Sequence, residues 1–212
     1  DWIEEKIEFD CSLGDRITGF SFLPKNVQEP FQCIVWDPHG AVYDLGAPAN
    51  WTAEILFSGN IKAGRAVFVL VPKGSPSRKW EYGEQWPDVS TVLFRDRVLH
   101  GVTESCIGLD YLATRKEIDM NKLAWIPTSH MINGLIVPAV DNRINSIVLI
   151  ACGIYPESKT SLPEVNPVNF VAHYNKATYF LYGKYDEAMP YNLLVLPFYK
   201  LLNNIKGVEL VN

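Results

Sequence analysis

No stretch of the 212 residues approaches the ~18 consecutive apolar positions that a membrane-spanning helix requires. The longest apolar run, around Ile147 to Ile154, has the length of a core strand, so no membrane span is expected. No charged segment followed by an apolar one opens the chain. The first residue is Asp1, which leaves open an earlier-removed leader; a cytoplasmic location is the favoured expectation. Basic runs are missing as well. With 19 Lys+Arg against 24 Asp+Glu the formal net charge is −5, which argues against nucleic acid as a partner. The aromatic residues between 36 and 86 have too little Lys and Arg among them for a single-strand binding platform.

Metal and phosphate signatures are also lacking. The four cysteines, Cys11, Cys33, Cys106 and Cys152, form no CxxC pair, which excludes the common zinc and dithiol patterns and leaves free buried thiols. Lys73-Gly74-Ser75 has no upstream glycine at P-loop spacing. Asp119, Asp141 and Glu104 lack the spacing of a metal site. Neither a metal nor a cofactor is expected. One Asn-x-Thr triplet, Asn50-Trp51-Thr52, would matter only in a secreted eukaryotic setting.

What the chain does have is a succession of short apolar runs rich in β formers. Lys6 to Cys11 and Ile17 to Leu23 flank Leu13-Gly14-Asp15, a hairpin signal. Phe31–Trp36, Ala66–Val71, Leu123–Ile126, Ser146–Ala151 and Thr178–Tyr182 are nearly uninterrupted, as strands buried on both faces of a parallel sheet are. Helical spacing runs from Val89 to Lys116, from Ile132 to Val140 and from Asn192 to Asn203, where Pro197 is expected to kink the helix. Gly207 to Val211 is a last strand candidate. This alternation predicts an α/β fold: a mostly parallel sheet with helices on both faces and an N-terminal antiparallel hairpin at one edge. The segment from Pro72 to Val89, rich in Trp, Pro and charge, is a functional or poorly ordered loop.

Ligands of open α/β sheets bind beyond the carboxyl ends of the strands. Pro127-Thr128-Ser129-His130-Met131 follows one such end. A serine on a sharp strand-to-helix turn has the geometry of a nucleophile elbow. Gly183-Lys184-Tyr185-Asp186 places an acid at a later strand end, the order Ser…Asp of that arrangement. Each residue has a plainer reading, since serine and aspartate in these places also cap helices.

Asp110 to Asp119, Lys122-Leu123-Ala124, Leu162 to Phe170 and Gly183 to Asp186 together resemble one branch of the α/β-hydrolase superfamily. These are the dipeptidyl-aminopeptidase/acylaminoacyl-peptidase-like and acetyl-xylan-esterase-like domains. The resemblance runs from about Lys6 to the end of the chain. It implies one α/β-hydrolase-like domain over residues 1–212, ending short of the whole. It places the nucleophile at Ser129, the triad acid at Asp186 and the oxyanion loop at His39-Gly40, with His130 beside the serine.

The departures from the pattern carry their own expectation. Both elbow glycines are replaced, by Pro127 and Met131, so the corner is expected to relax or shift. Pro38 removes one amide from the oxyanion loop. The family's histidine lies beyond Asn212, and His39, His100, His130 and His173 do not fall at its place. The resemblance therefore suggests a catalytically degenerate domain acting as a binding, sensory or scaffold module. The alternative is an active esterase or peptidase using Ser129 and Asp186 with a histidine outside this chain's end. The expected partners are a small ester, peptide or carbohydrate-like ligand, in a pocket lined by Trp36, Trp80, Tyr82 and Trp86, and a fused or associated signalling domain.

Overall fold

The structure is a computed structural model that describes residues 1–11, 14–38, 40, 42–43, 45–81, 87–129, 132–155 and 160–202, together with the backbone of 208–211. Strands β1 (Trp2–Asp10) and β2 (Arg16–Pro24) form the expected antiparallel hairpin, turning at Gly14 with φ 80°. Seven further elements build the rest of the sheet and its principal covers: β3 (Phe31–Asp37), α1 (Ala49–Lys62), β4 (Ala66–Leu70), α2 (Val92–Thr114), β5 (Ile118–Pro127), α3 (Ile132–Val140) and β6 (Ser146–Ile150). After a short α4 (Val168–Val171) come β7 (Ala177–Leu181), α5 (Leu196–Leu202) and β8 (Val208–Val211). The strand order is β1-β2-β4-β3-β5-β6-β7-β8. The hairpin joins β4 antiparallel through β2, and every later pairing is parallel.

Period-two alternation assigns the two faces of the sheet. Ile34, Trp36, Val67 and Val69 point to one side and pack against Ala49, Ala53, Phe57 and Ile61, which recur every fourth residue of α1. Cys33, Val35, Phe68 and Trp125 point to the other side. There they meet Leu109 and Leu112 of α2, Leu135 and Val137 of α3, and Phe198 and Leu202 of α5. Helices therefore lie on both faces, as the alternation predicts. All four cysteines are free thiols.

Three details differ from the sequence reading. Helix α1 was not expected, because Trp51, Ile55 and Leu56 on its outer side blur the helical period; all three are exposed. Strand β5 begins at Ile118, five residues ahead of its apolar run, and its start is fastened by the Phe31 N–H donating to the Glu117 carbonyl at 2.7 Å. The last helix is preceded by a π turn over Tyr191–Val195, which hands over to α5 just before Pro197.

Helix α2 starts where its cap allows. The Thr91 hydroxyl accepts the Phe94 N–H at 3.2 Å. Behind it, Glu104 is buried and receives two N–H donors from Arg78, at 2.6 and 3.1 Å. Arg78 also reaches Asp15 at 2.9 Å, and Lys73 meets the same Asp15 oxygen at 2.9 Å. This ion network fastens the β1–β2 turn and the loop after β4 to the helix that covers them.

Candidate active site at the carboxyl edge of the sheet

Ser129 stands between the end of β5 and the start of α3, half-buried, with φ 69°. A non-glycine residue in that left-handed region costs on the order of 1–3 kcal/mol and persists only where its surroundings fix it. The fixing contacts are visible. The Ser129 N–H donates to the Ile150 carbonyl at 2.9 Å, and Thr128 forms a parallel bridge with Ile150. The Thr128 N–H and Oγ1 both reach the Asp37 carbonyl, each at 3.3 Å. The corner is thus tied to β6 on one side and to β3 on the other.

The expectation that Pro127 relaxes this corner does not hold. Pro127 is the last residue of β5, buried and in register with Asp37, so its missing N–H and fixed φ end the strand without moving the turn. Met131 and His130 lie outside the described residues, as does His39. Gly40 is described and has φ 51°.

Asp186 follows β7 at the same edge, two strands away from Ser129. Its Oδ1 accepts the N–H groups of Ala188 and Met189, both at 3.0 Å, so this carboxylate also caps the turn after β7. The edge is continuous between the two residues: the Ala151 N–H donates to the Leu181 carbonyl at 2.8 Å, and Ala151 too has a positive φ, 50°.

The remaining histidines sit elsewhere. His173 precedes β7, at the opposite edge of the sheet. His100 is largely enclosed on α2: it lies 3.2 Å from Glu104 and edge-on to Trp80. Asp15, His100 and Glu104 bring three candidate metal-ligand atoms together, but Arg78 and Lys73 already pair with the two carboxylates.

The expected aromatic pocket is also redrawn. Trp36 is buried edge-on against Phe57 of α1, on the face of the sheet opposite α2. Trp80 lies on the α2 side, between the Lys73 ammonium at 5.7 Å and the Arg97 guanidinium at 4.8 Å from its ring centre. It faces a groove of about 390 Å³ with Asp15, Asp96 and His100. Tyr82 and Trp86 lie outside the described residues.

Asp37 is the site residue that the sequence did not single out. It ends β3, is 6% exposed, and its Oδ2 has no hydrogen-bond partner among the described residues. Burial pushes its carboxyl up to about 7. It borders a cavity of about 30 Å³, room for about one or two waters, shared with Tyr43, Glu104 and Asn133. Tyr43 hydrogen-bonds Asn133; burial first, and then the charges of Asp37 and Glu104, hold its phenol well above its ordinary range. The signal in the sequence was an acid closing a strand that is apolar except for Gln32, Phe31 to Trp36, directly before a proline.

Cys11, Cys33 and Cys152 are buried as expected, whereas Cys106 is only partly so; desolvation raises Cys106 to about 11 and Cys33 to about 12, and pushes Cys152 higher still, which removes these three as nucleophiles at neutral pH.

No protein-family model matches the chain, and no curated protein matches it in sequence. Solved structures do match over nearly its whole length. The acylaminoacyl peptidase of Pyrococcus horikoshii aligns with a TM-score of 0.72 at 13% identity, over 99% of this chain and 36% of that one. A Bacteroides ovatus protein assigned as a dipeptidyl aminopeptidase IV aligns at 0.71 and 13%, over 99% of this chain and 32% of the other. The acetyl xylan esterase of Paenibacillus sp. R4 aligns at 0.69 and 17%, over 99% and 77%. The chain spans about a third of the length of the two peptidases. The chain has the α/β-hydrolase fold, the architecture that it shares with these peptidases and esterases.

Proposed function

We infer that the chain is a serine hydrolase of the esterase or peptidase class, with Ser129 as nucleophile and Asp186 as the acid of the triad. One observation carries this reading: Ser129, at the carboxyl end of a central strand, is held at a left-handed φ that a capping serine does not need. Such a turn lifts the hydroxyl clear of the sheet, and the strain persists because Ile150 and Asp37 grip the backbone on both sides.

The chemistry follows from that placement. Ser129 Oγ would attack an ester or amide carbonyl while its proton passes to an imidazole. The carbonyl π electrons would move onto oxygen, and the N–H after Ser129 and one from the loop at Gly40 would donate hydrogen bonds to the oxyanion. Collapse would expel the alcohol or amine with the same proton, and water would release the acyl group by the reverse path. Asp186 would orient the imidazole. His100, held by Glu104, and His173, at the far edge of the sheet, do not supply it.

The second reading is a binding, sensory or scaffold module that has given up this chemistry. One observation favours it: an Asp186 oxygen already committed to two backbone amides. A fluorophosphonate probe separates the readings. The hydrolase reading expects labelling and p-nitrophenyl acetate turnover that both vanish in Ser129→Ala. Absence of both in the unsubstituted protein would leave the binding module.

A further inference from the structure

Asp37 touches the Ser129 corner at three points. Its backbone lies in register with Pro127, two residues before the serine. Its carbonyl accepts both donors of Thr128, one residue before the serine. Its carboxyl reaches past the serine and presses on Gly134 in the first turn of α3, where a Cβ would collide with Oδ2. Strand β3 therefore holds the turn on its entering and leaving sides through a single residue.

The inner contact is unusual because it joins a carboxyl to a helix without a hydrogen bond. Oδ2 is shielded from solvent and has no partner among the described residues. Gly134 in turn is held from above: its carbonyl accepts the Trp125 indole N–H at 2.9 Å.

We propose that Asp37 is a positioning residue for Ser129: its enclosed carboxyl, wedged beneath Gly134, sets the placement of the turn on which the nucleophile stands. This rests on the serine hydrolase reading and deepens it. The wedge works in its neutral form. As the pH rises through 7 the carboxyl ionises, and a buried charge whose Oδ2 has no partner among the described residues must draw in water or push its neighbours aside. Among the described residues, the ionisable groups that face it do little to compensate. Tyr43 from the loop after β3 and Cys152 after β6 are kept neutral by burial. Glu104 of α2 is spoken for by Arg78, and Lys73 by Asp15. Helix α3 contributes no ionisable side chain over Ile132–Val140.

The test compares wild type, Asp37→Asn and Asp37→Ala, labelled with a fluorophosphonate between pH 6 and 8.5. At pH 6 the Ala variant is expected to label at least tenfold more slowly than wild type, and the Asn variant within threefold of it. The ratio of the Asn rate to the wild-type rate is expected to climb at least threefold from pH 6 to 8.5. A flat ratio, or an Ala variant as fast as wild type, overturns the proposal. If the Ala variant does not fold, the Asn ratio alone decides.

If no form labels at Ser129, the hydrolase reading fails, and the wedge is then read by fluorescence. Wild type is expected to show a pH-dependent emission shift with a midpoint near 7, lost in Asp37→Asn and assigned by its disappearance in Trp125→Phe. A wild-type emission that does not move across that range overturns the wedge independently.

Discussion

Arg78 closes on Glu104 through two parallel donors, and both side chains are more than nine-tenths buried. Burial works to raise the Glu104 carboxyl, yet the hydrogen bonds from His100 and Arg78 hold it below its ordinary value. Removing one partner leaves an uncompensated buried charge, a loss of about 3–5 kcal/mol. Glu104→Gln and Arg78→Met should each lower the melting temperature by about 10 °C. The pH sign follows from the depressed folded value. The contribution is present above the unfolded carboxylate range near 4.5 and drains away as pH falls below it. Urea midpoints measured from pH 6 down to 3 should therefore fall more gently in Glu104→Gln than in wild type. Parallel curves would remove the network from the list of stabilising features.

Asp37 has the opposite linkage. Its folded value, about 7, lies above the unfolded value of 3.8, so the native state binds the extra proton and stability declines from about pH 4 to pH 7. Above pH 7 the penalty is complete, on the order of 4 kcal/mol if nothing relaxes. Asp37→Asn should be more stable than wild type at pH 8.5 and close to it at pH 4.5. Chemical denaturation at those two values checks the claim, and an equal difference at both would contradict it.

Gly134 separates two opposing effects. In an exposed helix, Gly→Ala gains about 1 kcal/mol from propensity. Here the added methyl would collide with Asp37 Oδ2 and come within 2.9 Å of Pro127 Cβ. Overpacking of that kind costs about 1–3 kcal/mol, so Gly134→Ala should destabilise by about 1 kcal/mol or more. Adding Asp37→Ala removes the nearer obstacle and should recover part of the loss. A single Gly134→Ala variant that melts higher than wild type would show that the corner has room to spare.

Much of this architecture was legible in the sequence, and the failures have physical causes. The parallel strands announced themselves because a strand covered on both faces must be apolar at every position, as Ala66–Leu70 is. Helix α1 hid because Trp51, Ile55 and Leu56 add an outer apolar side to a period that Ala49, Ala53, Phe57 and Ile61 alone would have shown. Ser129 and Asp186 were legible as strand-end residues. The conformation of Ser129 was not: the sequence shows that the glycines are gone, but the left-handed turn is imposed by Ile150 and Asp37, which are distant in the chain. Asp37 itself was not legible as a site residue, since its burial against Gly134, Tyr43 and Asn133 is a product of packing.

Ser129 is where stability and chemistry pull apart. Its φ of 69° suits glycine and penalises every side chain with a Cβ. Ser129→Ala keeps the strain, whereas Ser129→Gly releases it at the cost of some unfolded-state entropy. The glycine variant should exceed the alanine variant in stability by about 1 kcal/mol, or roughly 2–4 °C in melting temperature. Both should lose fluorophosphonate labelling. If alanine proves the more stable of the two, the turn is not strained, and the conformational argument for a nucleophile at this position loses its footing. If glycine wins while the unsubstituted serine still labels, the protein keeps an unfavourable backbone for the sake of where that hydroxyl points.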